Sequence, residues 1–369
     1  MKRPRHFQGA SMPASSFSDE SKPSLDKDRS GAGRVYSVWR WWRNVLHPER
    51  YHGIPRKGAF SEGWYYKLVS AGKERIVAVV PGVHCDRERD KCHAFIQIMD
   101  GSARRSRYFR FPFHDFHAKD KPFSIQIGAN RFDLNRLRLS LEDPQYSLRG
   151  TVTWSGPVPW PVSPISPGAM GWNAYIPATR FSQGVLSMDH TLSGHLIENG
   201  KNVIFTGGRG YIGKDWGREY PTAYLWMQCN HFKDTPVSFM GSVARIPPRG
   251  NAFRGFLAAF LFRDRFIPLT SYSGASLETC LVRSDRIVLE IRDHSRHQLQ
   301  VTVTRGSGNR LKAFSGKEMV LSAQESLDSR MTIRWYRFQR GGRSLVWEGE
   351  GYPAAVDVKG EDCFISGPA

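Results

Sequence analysis

"GYIGKDWGREYPTAYLWMQCNHF", Gly210 to Phe232, is the stretch whose reading decides the fold. In its second half, Trp226, Gln228 and Asn230 alternate with Leu225, Met227 and Cys229. That period of two is the signature of a β-strand. Amides on an inward strand face demand partners. The spacing therefore predicts a strand that lines a cavity for a large, mostly apolar ligand. Just before it, Asp215 stands against Trp216, an acid beside an aromatic ring.

The same style extends in both directions. "ERIVAVVPGV", "HAFIQIMDG", "FSIQIGANRFDL" and "YSLRGTVTW" precede it, and "RIVLEIRD", "HQLQVTVTR" and "MTIRWYRFQR" follow. Each alternates or runs apolar between turn residues, as strands do. "LIENGKNV" and "FQRGGRSL" read as hairpins. Helical periodicity is scarce, so the chain is predicted to be all-β, a barrel or sandwich architecture. "SEGWYYKL" and "GKDWGREYPTAYLW" echo one another, which suggests two consecutive antiparallel barrel-like domains. The expected division is a tail over 1–33, a first domain with a short leading helix over 34–208, and a second domain over 209–369. The Pro-rich "SGPVPWPVSPISPGAMGWNAYIP" is too long for a simple turn and is expected to border a pocket.

The 369 residues carry 53 Lys and Arg against 34 Asp and Glu, a net charge of +19. Such a surplus attracts polyanions, either nucleic acid or an anionic membrane face. With no recognisable nucleic-acid module, a membrane or lipid-droplet surface is the expected partner and nucleic acid is not. No apolar run approaches the ~18 residues of a membrane-spanning helix. The first 33 residues are polar and lack hydrophobic period, as a disordered tail does. "SDESKPSLDKD" is too acidic for a clear transit peptide. An intracellular location is expected, cytoplasmic or organellar (a plastid included), peripheral to a membrane. Val35, Trp39, Trp42 and Leu46 recur at helical spacing with Arg40 and Arg43 between them. This helix either docks on the core or lies at a membrane interface, with Trp41 adding to its aromatic face.

Five cysteines, an odd number, read as reduced thiols. Cys85 and Cys92 beside His84 and His93 invite a zinc site, but the spacing is not that of a zinc knuckle and no second ligand pair is present. No metal and no cofactor is expected.

Four stretches carry a resemblance: "HPERYHG", "FSEGWYYKL", "HAFIQIMDG" and the opening stretch itself. Together they resemble the tocopherol cyclase family, over about Leu46 to Val358. "GWNAYIP" and "SMDHTLSGHL" are similar to it as well. The resemblance implies two lipocalin-like β domains, related to carotenoid hydratases, and a reaction that closes a chromanol ring on a prenylated hydroquinone. That chemistry asks for an acid kept protonated near neutral pH to protonate a prenyl alkene. Aromatic faces then shelter the cation until the phenol oxygen captures it. Asp215 and Glu62 are the candidate acids. Trp64, Trp172, Asn173, Tyr175, Trp216, Trp226, Gln228 and Asn230 are the candidate binding residues. This chain departs from the family where acids are common, with Gly213 two residues before Asp215 and with Arg180 and Gln183 in "IPATRFSQGV". The alternative is a binder of prenyl quinols or other isoprenoid lipids that has kept the fold and lost the acid.

Overall fold

The computed structural model describes residues 42, 44–53, 58–86, 91–176, 180–233, 236–246, 253–315 and 318–360. The expected tail over 1–33, and Trp39, Arg40, Trp41 and Arg43 of the leading helix, lie outside them. Of that helix the structure describes Trp42, which is 54% exposed, the helical Asn44 and Val45, and the turn at Leu46.

The first sheet is built from β1 (Phe60–Val69), β2 (Ile76–Cys85), β3 (His93–Asp100), β4 (Arg105–Pro112), β5 (Phe116–Asp120), β6 (Phe123–Ile127), β7 (Asn130–Asp133), β8 (Arg136–Asp143), β9 (Tyr146–Ser155), β10 (Phe181–Glu198), β11 (Lys201–Ile204) and β12 (Arg209–Gly217). The second is built from β13 (Tyr224–Cys229), β14 (Val237–Ile246), β15 (Phe253–Phe262), β16 (Arg265–Thr270), β17 (Ser276–Val282), β18 (Arg286–Arg292), β19 (His297–Thr304), β20 (Asn309–Ser315), β21 (Glu318–Gln339) and β22 (Gly342–Lys359). Both belong to the compact unit that begins at residue 43.

The sheets share one plan. In the first the order is β4-β3-β2-β1-β12-β10-β9-β8-β7-β6-β5, with β11 paired to β10. In the second it is β16-β15-β14-β13-β22-β21-β19-β18-β17, with β20 paired to β21. Each half thus sends its last strand back beside its first, and every pairing between named strands is antiparallel. This is an all-β chain of two lipocalin-like domains. The hairpin at Asn199–Gly200 places Glu198 opposite Lys201, with both turn residues at positive φ, as a two-residue primed turn requires.

The change of sheet falls between Gly217 and Tyr224, not at 208. β12 fills the gap between β1 and β10 and so belongs to the first half. For the same reason the expected echo is misaligned. "SEGWYYKL" forms β1, whereas "GKDWG" lies on β12, the pairing partner of β1, with Glu62 opposite Trp216 and Gly63 opposite Asp215. The topological counterpart of β1 is β13.

Each half has its own core. Trp64, Tyr66, Leu68, Val77 and Val79 point into the first, and Leu225, Met227, Val356 and Val358 into the second. The opposite faces of β1, β2, β12 and β13, and of the end of β22 near Ala355, are largely covered. Val69, Ile76, Ala78, Met99, Leu327 and Ala355 pack together between the sheets, as do Val185, Tyr211, Met240 and Ala259. Burial on both faces explains why "ERIVAVVPGV" is apolar in both phases. Cys85 and Cys92, expected as reduced thiols, are joined by a disulfide. Register is the reason: His84 pairs with His93, so the next residue out on each strand faces the other. Those two sulfurs are not available as zinc ligands.

Candidate active site

The interface between the sheets is layered by the period of two. On β12, Tyr211, Gly213 and Asp215 face the second sheet, and on β13, Tyr224 and Trp226 face the first. On β21 and β22, Glu325 and Asp357 face the same gap. These side chains enclose an inner recess of about 80 Å³. It adjoins an outer chamber of about 550 Å³, and Phe181, Gln183, Tyr220, Ser242 and Ala244 line both. The Phe181 and Tyr220 rings touch at 4.6 Å between centroids, where the two spaces meet. The Pro-rich segment, expected to border a pocket, supplies the outer wall through Ala169, Trp172, Asn173 and Ile176.

Three carboxyl groups gather at the inner end. Burial pushes Asp215 up to about 7; the charge of Asp357 adds to this and a hydrogen bond from Gln183 opposes it. Burial also holds Asp357 at about 7, against a hydrogen bond from Tyr224 at 3.0 Å. Glu325 rises to about 8 through burial and the nearby Asp357, while the Tyr65 hydroxyl, which donates to it at 2.5 Å, pulls the other way. Like charges in a low-dielectric site resist joint ionisation, so protons are retained near neutral pH. Beside them, Tyr65, Tyr211 and Trp226 form a ring cluster, with centroids 5.2 Å apart for Tyr65 and Trp226 and 6.0 Å for Tyr211 and Trp226. Aromatic faces at this range stabilise a positive centre. Gly213 keeps the recess open, because a Cβ there would lie 3.0 Å from the Tyr211 ring.

The expected site residues separate into three groups. Asp215 and Trp226 line the recess, and Trp172 and Asn173 the outer chamber. Tyr175 instead donates to the Pro164 carbonyl at 2.5 Å and braces the loop behind the chamber wall.

Glu62, Trp64 and Trp216 alternate onto the other face, inside the first barrel. Glu62 is fully buried and ion-paired to Lys214 at 2.6 Å. It also accepts from the His52 backbone N–H at 3.0 Å. Burial would raise its pKa, but Lys214 and His52 hold it below the ordinary value. Glu62 is thus the counter-ion of Lys214, on the face of β1 away from the recess. Lys214 lies over the Trp64 and Trp216 rings at 4.6 and 5.0 Å. The Trp64 indole donates to the Glu49 carbonyl at 2.9 Å, and Trp216 stacks on His52 at 4.2 Å.

Gln228 and Asn230 face the gap as expected but lie beyond the recess, in a buried polar layer. Gln228 accepts from Lys67 at 3.0 Å, and Asn230 donates to Asp189 and to the Gly210 carbonyl. Their amides tie the sheets together and do not line the cavity. The departures noted in the sequence do come to the site. Gln183 pairs with Asp215 across β10 and β12, and Arg180 bridges to Glu219 at 2.8 Å on the outer chamber. Sequence reasoning missed Glu325 and Asp357 altogether.

The fold and site define an all-β chain of two lipocalin-like domains with an acid-lined recess between the sheets. Residues 142–256 match the model of the tocopherol cyclase-like family, a span that holds Gln183, Asp215 and Trp226 but neither Glu325 nor Asp357. The chain resembles that family. Among solved structures it is similar to CghA with Sch210972 (11% identity, TM-score 0.51) and to CghA (12% identity, TM-score 0.50), each covering 84% of this chain and 94% of the other. Kievitone hydratase from Nectria haematococca is more distant, at 10% identity and TM-score 0.43, covering 82% of this chain and 89% of its own. At these identities the likeness to CghA shows a common fold. No curated protein matches the chain in sequence.

Proposed function

We propose that this chain is an acid catalyst of ring closure on an unsaturated, mostly apolar molecule, with a prenylated hydroquinone as the substrate class that best fits the chemistry. The observation that supports it is the position of Asp215, a buried carboxyl whose pKa is raised to about 7, at the inner end of the cavity beside three aromatic rings. Asp215 gives its proton to the alkene, and a tertiary cation forms next to Tyr65, Tyr211 and Trp226. The phenol oxygen attacks the cation, and its proton returns to the carboxylate left behind. Bonds and atoms balance without a redox partner, and the product has the mass of the substrate. Glu325 and Asp357 keep the site proton-rich, which favours catalysis over the binder that has lost its acid. The enzyme reading is tested by incubating the protein with a panel of prenyl quinols and comparing mass and retention. Cyclisation shifts retention at constant mass, and hydration adds a water. Recovery of every lipid bound but unchanged would favour the binder.

A further inference from the structure

Between Arg149 and Arg180 the chain has no charged residue and no histidine, although 24% of the whole is charged. This neutral stretch includes the segment that walls the outer chamber. Its outermost part, Pro161 to Ile165, is exposed throughout, and Ile165 is 88% exposed. Val162, Trp172 and Ile176 are exposed apolar neighbours along the same segment. Single exposed apolar residues are ordinary, but a group of them at the mouth of an apolar cavity marks an interaction surface.

The tip is braced, not loose. Ser163 and Ser166 exchange backbone hydrogen bonds at 3.0 and 3.1 Å, and Val162 bridges to Pro167. Tyr175 ties the tip at Pro164, Tyr272 donates to the Ala169 carbonyl at 2.8 Å, and Trp160 is buried against Phe266. So braced, the tip can present its apolar side chains at the headgroup level, where insertion is shallow. Arginines stand around it: Arg180 and Arg245 line the same chamber, and Arg218 is exposed beside Glu219.

We infer that the 161–176 segment is an interfacial wedge that seats the mouth of the cavity on an anionic lipid bilayer, with Val162, Ile165 and Trp172 entering the headgroup boundary and the surrounding arginines meeting phosphate and carboxylate groups. The charge of +19 supplies the attraction and the neutral tip supplies the insertion. An apolar ligand then passes from bilayer to chamber without crossing water. This rests on the proposed apolar substrate, but its test uses no substrate.

The full chain is sedimented with phosphatidylcholine vesicles, with and without phosphatidylserine. Binding is expected to be stronger with phosphatidylserine and to weaken with salt. The double variant Val162→Asp/Ile165→Asp should bind about tenfold less or worse, because charge replaces the inserting groups. Its Tm should match that of the parent, since both side chains are exposed. Leu345→Asp, which alters a leucine exposed on β22, should bind like the parent. Equal binding by the double variant, equal loss in Leu345→Asp, or no binding by the parent would overturn the wedge. Turnover of detergent-dispersed quinol by the double variant reports separately on the acid site.

Discussion

Tyr65 and Glu325 meet at 2.5 Å across the gap between the sheets, 260 residues apart in the chain. The bond joins β1 to β21 and places one of three proton-retaining carboxyls. A carboxyl whose folded pKa lies above its unfolded value favours the folded state at low pH and loses that advantage as pH rises through the folded pKa. Asp215, Asp357 and Glu325 stand at about 7, 7 and 8. Stability is therefore expected to fall from about pH 4.5, near the unfolded pKa, to about pH 8. Melting curves across that range check it, and Glu325→Gln should flatten the slope. Tyr65→Phe should steepen the decline at the alkaline end, because the lost hydrogen bond had been lowering the Glu325 pKa.

Asp215 is the group expected to move the proton. Asp215→Asn replaces the carboxyl with an amide of similar shape, so the fold should survive. Turnover of a prenyl quinol should drop roughly 10²-fold or more. Residual activity near that of the parent would transfer the role to Glu325 or Asp357.

Gln183 sets where the acid works. Its hydrogen bond lowers the Asp215 pKa, so Gln183→Ala should raise it. The parent should lose activity above about pH 7, and the variant should hold activity to higher pH. A pH–rate profile of both proteins reads the displacement, and a limb that moves to lower pH would contradict the assignment.

Glu62 and Lys214 are both fully buried, and each neutralises the other. Lys214→Met leaves a bare carboxylate inside the first barrel and should cost about 3–5 kcal/mol, the scale for breaking a buried pair. Chemical denaturation measures it. A loss within experimental error would mean that Glu62 takes up a proton at little cost.

Ala244 lies where the chamber narrows to the recess. Ala244→Trp should obstruct the passage and weaken binding of a long prenyl ligand by about tenfold or more. A short quinol analogue should be affected as well if it must reach Asp215. Unchanged binding of both would show that ligands occupy the outer chamber alone.

The strands were readable because alternation is local, and Asp215 was readable because it stands next to the strand that carries Trp226. Glu325 and Asp357 were not, since "QESLD" and "VDV" look like solvent-facing positions of hairpin strands. Only the packing of one sheet on another buries them. A signal did exist: Ala354, Ala355 and Val356 precede Asp357 and are apolar in both phases, the pattern of a strand covered on both sides. An acid inside such a run is a buried acid. Gln228 and Asn230 were rightly read as inward, but no pattern within one strand could show that Lys67 and Asp189 await them. The Cys85–Cys92 bond followed from strand register, which spacing alone does not give.

The return of β22 beside β13 has a consequence for the chain while it is being made. Asp215 leaves the ribosome long before Asp357 does, so the recess lacks that second acid until β22 is laid down. The gap that buries Asp215 is thus completed only at the end of synthesis, when the closing strand takes its place beside β13.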